Sequence, residues 1–544
     1  MLKPIVVGIS LIALSMAAGL AGCGNSQPTE LLKTSTGAKD VPVAAEWIDG
    51  RLEIEVPVPV ITIGLSSAEA AALADELPSH TVNHSTGDFN QIISTDIEEP
   101  QEQGANALLP LMGETFPHPV LPTAVYEVKA APDAMVEEFK QALAAAKISG
   151  DRYDALTMED WLAEALPKYG FGLNPNAPSM VVIHLDAFGA GAHGWKVQGD
   201  TGFLEPVRLF GDRNPFLVLD PSAVEDPYGG SGGYKSPVTS DNAGAIATFV
   251  RELTEYRVLQ ASIYPVAQAS CHAVTAVVGV KAASLSQLPV GILRPFEDAF
   301  RAEVIKASFD HLTGSDVFFD VKILSLPVDD PPLDAISRLE FPGYEVMRGY
   351  LDARWDNYHV DHPGCEEYLS VLFIGDAAGV PGGGVTGIGT YDDNPGRRVS
   401  MSYIHDAFRF LLDPESPGCA AVGAQVFGES YCVGKDYLNW WEYHLSHETG
   451  HILGQRHPHD VDSSSSSSSS NNSFSSVWSS MSYQQDGRMI DFGANDHANW
   501  QRNRAGFALM IASEAGHEGT PAWNAAMDAA RQLDWKGAWQ SLQE

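Results

Sequence analysis

Positive charge is in short supply in this sequence: 33 Lys and Arg stand against 70 Asp and Glu over 544 residues, a formal net charge of -37. A surface this acidic repels nucleic acid and anionic lipid headgroups, which argues against either as a partner. It reads first as a soluble, well-hydrated surface, with a structural Ca2+ ion as the further cation it would attract. Beyond the N-terminal segment no stretch is both long and apolar enough to span a bilayer. Internal repeats are absent, including the glycine-and-aspartate nonapeptides of calcium-binding β-rolls. The glycines from Gly382 to Gly389 are not followed by Gly-Lys-Ser/Thr, which excludes a phosphate loop. Cysteine is sparse, with five residues in all.

What is present begins with a compartment signal. Lys3 supplies a charged start, Ile5 to Leu14 an apolar stretch, and Leu20-Ala21-Gly22-Cys23 closes it with small residues before a cysteine. This segment resembles a bacterial lipoprotein signal; the resemblance implies cleavage before Cys23, a lipidated Cys23 at the mature N-terminus, and anchorage to the cell envelope. A plain secretory signal with a coincidental cysteine is the alternative, and either exports the chain. Residues 23–45 are polar and without an apolar period, so they read as a flexible tether. The remaining cysteines, Cys271, Cys365, Cys419 and Cys432, are even in number, as expected of disulfides in an exported chain. Cys419 with Cys432 and Cys271 with Cys365 are the favoured pairs over four free buried thiols, although spacing alone does not establish connectivity.

With 44% hydrophobic residues the chain can bury a large core and is long enough for more than one domain. Residues 46–264 read as a mixed α/β region: a β-branched, prolyl stretch at Arg51 to Leu65, strands at Ala124 to Ala130 and Met180 to Leu185, and helices at Asp133 to Lys147, Met158 to Tyr169 and Asp241 to Ala261. From residue 265 to 544 strands and helices alternate, which favours a mostly parallel sheet. Strands are expected at Ala273 to Val280, Val317 to Leu326, Tyr368 to Ile374 and Arg398 to Ile404. Helices are expected at Pro295 to Leu312, Asp334 to Ala353 and Lys435 to Leu453, with a glycine-rich extended stretch from Gly382 to Tyr391. The serine run within residues 463–473 cannot bury apolar surface and reads as a solvated loop.

The chemistry concentrates in His447-Glu448-Thr449-Gly450-His451-Ile452-Leu453-Gly454-Gln455-Arg456-His457. His447 and His451 are four apart on a predicted helix, so both imidazoles share a face and reach one metal ion. Glu448 lies beside them as a proton carrier rather than a ligand. Gly454 permits the left-handed backbone that ends a helix, and the chain then turns back to deliver His457 as third ligand. Three protein ligands leave one position open for water, as a catalytic zinc site requires.

These eleven residues resemble the signature of the metzincin clan of zinc peptidases. The resemblance implies a fold of the α/β (α+β) class: a mostly parallel twisted sheet, an active-site helix and a helical lower subdomain within residues 265–544. The expected order is strand, helix, strands, an antiparallel edge strand, one more strand and then the active-site helix. The clan also carries a methionine in a tight turn below the metal, and Ser480-Met481-Ser482-Tyr483 resembles it. By that resemblance Met481 is the apolar floor under Zn2+, and Tyr483 a metal contact or an oxyanion donor. Ser400-Met401-Ser402-Tyr403 repeats the same letters in a predicted strand, so position after His457 identifies the turn. Pro458, the serine-flanked methionine and the tyrosine lean toward serralysins and astacins, while the missing β-roll repeats, the serine run and the lipid anchor depart from both.

The function expected is hydrolysis of peptide bonds in a protein or peptide substrate, with water activated by zinc and Glu448. The alternative is an inactive surface binding or adhesin lipoprotein on the same scaffold, or a structural zinc lipoprotein. Residues 46–264 are open between propeptide, accessory domain and spacer. His444 reads as a solvated or capping residue, Asp460 as either loop-ordering or a partner to a ligand imidazole, and Gly382 to Gly389 as either a substrate-pairing edge strand or a flexible loop. Trp500, Trp523, Trp535 and Trp539 read as packing residues.

Overall fold

The computed structural model describes residues 42–82, 118–150, 152–196, 207–224, 237–262, 266–281, 295–326, 355–375, 385–391, 397–405, 445–447, 449–455, 477–481 and 491–543. The expected signal, Cys23, the helix at 334–353, Cys419, Cys432 and the serine run lie outside them. The described chain is mixed α/β, with one mixed and one mostly parallel sheet and helices packed against them.

The first sheet is built on β2 (Arg51–Ile63). It runs parallel to β4 (Val120–Ala130) on one side and to β7 (Ser179–Ile183) on the other, and β10 (Phe216–Leu219) continues the parallel set. Antiparallel additions are β1 (Ala45–Ile48) on β2, β3 (His80–Thr81) on β4, and β9 (Leu209–Gly211) on β10. Pro57 and Pro59 sit inside β2 without disrupting it. The Glu55 N–H donates to Ala44 on the β1 side. Pro57 and Pro59 share its parity, and their nitrogens fall where β1 has ended and β7 has not begun, so no ladder donor is needed there. Helices α1 (Ser67–Asp75), α2 (Asp133–Ala146), α3 (Ala155–Lys168) and α4 (Ala243–Leu253) cover this sheet. A small sheet of β5 (Lys147–Ser149), β6 (Arg152–Asp154) and β8 (Gly194–Lys196) flanks it.

The second sheet has the order β12-β11-β13-β15-β14. Strands β11 (Cys271–Lys281), β12 (Asp316–Leu326), β13 (Glu366–Gly375) and β15 (Arg397–His405) are parallel, and β14 (Val385–Tyr391) is an antiparallel edge on β15. Helix α5 (Pro295–Thr313) crosses from β11 to β12, and the short α6 (Trp355–Tyr358) precedes β13. A disulfide joins Cys271 at the start of β11 to Cys365 just before β13, across a separation of 94 residues.

Three helices close the chain: α7 (Ala494–Glu514), α8 (Pro521–Arg531) and α9 (Trp535–Ser541). Their apolar residues, among them Leu509, Trp523, Met527 and Trp535, belong to the same core as Leu52, Ile54 and Val56 of β2. Trp500 and Phe507 of α7 instead join the core beneath the second sheet. Residues 46–264 and the C-terminal helices thus share one hydrophobic core, and α7 lies between the two sheets. All four of the singled-out tryptophans are buried. Among the described residues no helix is long and apolar enough to cross a membrane.

Candidate functional site

Residues 445–447 and 449–452 are helical, and the helical backbone ends at Gly454, whose φ is +99°. The Gly454 N–H donates to the His451 carbonyl at 2.8 Å and the Gln455 N–H to the Gly450 carbonyl at 3.0 Å. This pair of bonds is the Schellman closure, and it needs a residue that tolerates the left-handed region after the last helical turn. The helix is seated by apolar packing of Leu445, Ile452 and Leu453 into the core beneath the second sheet. Thr449 Oγ1 also donates to Ser370 Oγ of β13 at 2.9 Å.

His447 and His451 lie on one face, both buried, with ring centroids 4.8 Å apart and planes nearly perpendicular. Nδ1 of His447 is 2.7 Å from the Ser480 carbonyl, and Nδ1 of His451 is 3.0 Å from the Gln455 carbonyl. A carbonyl only accepts, so each Nδ1 must carry the proton and each lone pair sits on Nε2. That is the tautomer a metal-ligating imidazole needs, with the ring fixed by its other nitrogen. Two imidazoles so oriented are compatible with a metal such as zinc. Glu448, His457 and Tyr483 lie outside the described residues, as do His444 and Asp460. Among the described residues no third metal-ligating side chain joins the pair.

Met481 is fully buried in a turn directly behind this helix. A methyl group placed on Gly450 would overlap the Met481 sulfur and come within 3.0 Å of Phe492, so the turn meets the helix at its one residue without a side chain. The earlier Met401 is in β15. The turn is tied down at each residue. Ser480 N–H and Oγ both donate to the Asp491 carbonyl, the latter at 2.8 Å, and the Met481 N–H donates to Ser479 Oγ at 2.9 Å. Ser479 Oγ in turn donates to Asp496 Oδ2 at 2.6 Å.

No protein-family model matches the chain, and no curated protein matches it. The site therefore stands on its own geometry.

Several groups that hold it have no signature in the sequence. Asp496, on the first turn of α7, also accepts from the Gly493 N–H and from Arg257 Nη1, the latter at 2.5 Å. Arg257 Nε donates to Asp212 at 2.8 Å and its Nη2 makes a second, shorter bond to the same oxygen. Asp212 accepts further from the backbone and side-chain amides of Asn495, at 2.8 and 2.7 Å. All three charged side chains are wholly buried. Burial pushes Asp212 up, to about 7, against the pull of Arg257, and Asp496 adds to the rise. Burial alone would lower Arg257, but the two carboxylates outweigh it and hold the guanidinium above its ordinary value. Asp491 is likewise raised by burial. The partners in this triad lie more than two hundred residues apart in places, and no local pattern marks such a pairing.

Proposed function

We propose that the chain is a zinc-dependent endopeptidase of the metzincin type. The observation that carries this reading is the pair of buried imidazoles one helical turn apart, both with Nδ1 on a carbonyl, above a buried methionine turn that follows them in the chain. The second sheet supports it as well. Strand, helix, two strands, an antiparallel edge strand and a further strand precede the helix of His447, in the order the resemblance implies.

His447, His451 and His457 would hold the zinc, with His457 delivered by the reversal at Gly454. When bound, zinc acidifies the attacking water and polarises the scissile carbonyl. Glu448 would accept the proton of the attacking water and hand it to the leaving amine. Tyr483 would contact the metal or donate to the oxygen on which negative charge develops. Strand β14, with one edge unpaired among the described strands, offers an extended substrate a backbone ladder. Export by a lipid anchor at Cys23 belongs to the same proposal, and the Cys271–Cys365 disulfide agrees with an oxidising compartment.

Glu448→Ala separates this reading from a binding lipoprotein on the same scaffold. The variant should keep its zinc and lose cleavage of a denatured protein by roughly 100-fold or more. Cleavage at the wild-type rate would remove Glu448 from the mechanism, and a zinc-loaded wild type that cleaves nothing in a broad peptide library would favour the binding reading.

A further inference from the structure

The turn that presents the Ser480 carbonyl to His447 is held from the other sheet. Asp212 follows β9 and Arg257 lies in the π-helical turn after α4, both within residues 46–264. From them a continuous chain of bonds runs through Arg257 Nη1 to Asp496, from Asp496 Oδ2 to the Ser479 hydroxyl, and from Ser479 Oγ to the Met481 N–H. Backbone pairing doubles the connection: Trp478 N–H donates to the Gly211 carbonyl and Ala494 N–H to the Asp212 carbonyl, at 2.8 and 2.7 Å. The Arg213 guanidinium stacks over the Trp478 ring at 5.6 Å. The second imidazole is tied to the same hub, because the Gln455 side chain donates to the Asp496 carbonyl at 3.5 Å while its own carbonyl receives His451. Further along α7, Asn499 donates to the Arg257 carbonyl and Arg502 to the carbonyls of Val258 and Gln260.

We propose that Arg257 is a positioning residue for the candidate metal centre, acting through Asp496 and Ser479 on the turn of Met481, and that residues 46–264 are a permanent part of the working molecule rather than a segment shed on activation. This rests on the reading of His447 and His451 as metal ligands. Removing residues 46–264 would take both Asp212 and Arg257 from Asp496, leaving a buried carboxylate without its counter-ion at the base of the turn. It would also strip the C-terminal helices of the sheet they pack on.

The test uses the full chain with Arg257→Met, Asp212→Asn and Ser479→Ala. Asp220→Asn is the control, equally buried and just after β10 of the same sheet, but bonded to His193, Trp195 and Ser222 instead of α7. Two readouts are taken: hydrogen exchange of the metal-free protein by mass spectrometry, and zinc affinity by chelator competition. Each of the three variants should speed exchange in residues 477–481 and 491–497 and weaken zinc about ten-fold or more, while Asp220→Asn does neither. Exchange that rises only in residues 207–224 and 254–260, with zinc affinity unchanged, would overturn the proposal, as would an equal effect from Asp220→Asn. Should the two charge variants fail to fold, Ser479→Ala, which deletes one hydroxyl, decides alone. The exchange readout needs no metal, so a wild type that binds no zinc would defeat the functional reading without deciding this coupling. Mass spectrometry of the active species should find residues 46–264 in it, and a fully active form beginning near residue 265 would overturn the second half of the proposal.

Discussion

His497, on the first turn of α7, sets its ring centroid 4.4 Å from that of His311, the two planes tilted by 56°. Burial first, and then the neighbouring imidazole, push its pKa down to about 3, with Asp496 opposing. A histidine kept neutral when folded but free to protonate when unfolded takes up its proton only on unfolding. Stability is therefore lost as pH falls through the unfolded value of about 6.5, and the loss continues down to about 3. His497→Gln abolishes that uptake. In urea titrations from about pH 7 to about pH 4, the wild type should lose ground to the variant by up to roughly 1.4 kcal/mol per pH unit. A stability difference that stays constant with pH would refute this assignment. At the same scale, the shared face of His447 and His451 and the helix end at Gly454 were open to reading from spacing, because a helix turn and a left-handed cap each leave a local mark. Their partners were not. Ser480, Gln455 and Asp491 act through backbone carbonyls, which every residue has and no residue type announces.

Elements were more legible than their neighbours. β-Branched residues marked β2, and the expected limits of β11, β12, β13 and β15 fall within a few residues of those observed. Even the glycine-rich stretch before Tyr391 takes its place as the antiparallel edge β14. Helix α7 could be expected as a helix, but its surroundings could not. Asn495, Asp496, Asn499, Arg502, Asn503 and Arg504 give it a polar face, and a polar face ordinarily means solvent. Here that face is buried, each group bonded to carbonyls or charges from distant segments. The packing of the signature helix makes a prediction that runs against propensity. In an isolated helix, Gly450→Ala should stabilise by about 1 kcal/mol. In this protein the added methyl meets Met481 and Phe492, so the substitution should cost about 1–3 kcal/mol by denaturant unfolding. A more stable variant would mean that the turn does not press on the helix.

Over the whole molecule, composition announced an acidic chain with a large core but not how that core is divided. Residues 46–264 lack any motif and read as a separate region. Their sheet nevertheless packs on helices contributed by the last fifty residues, and Val43 donates to Arg531 across that junction. Contacts between such distant segments have no period or spacing to reveal them. The consequence for function is that the candidate metal centre is supported from both sheets. Binding of one catalytic zinc at this centre is what the proposed activity requires. Anomalous diffraction at the zinc edge, from crystals of the full chain, tests it most directly. One zinc is expected, with Nε2 of His447, His451 and His457 at about 2.0–2.1 Å and a remaining position open to solvent. Absence of stoichiometric zinc, a metal closed by four protein ligands, or a site that excludes His457 would contradict it.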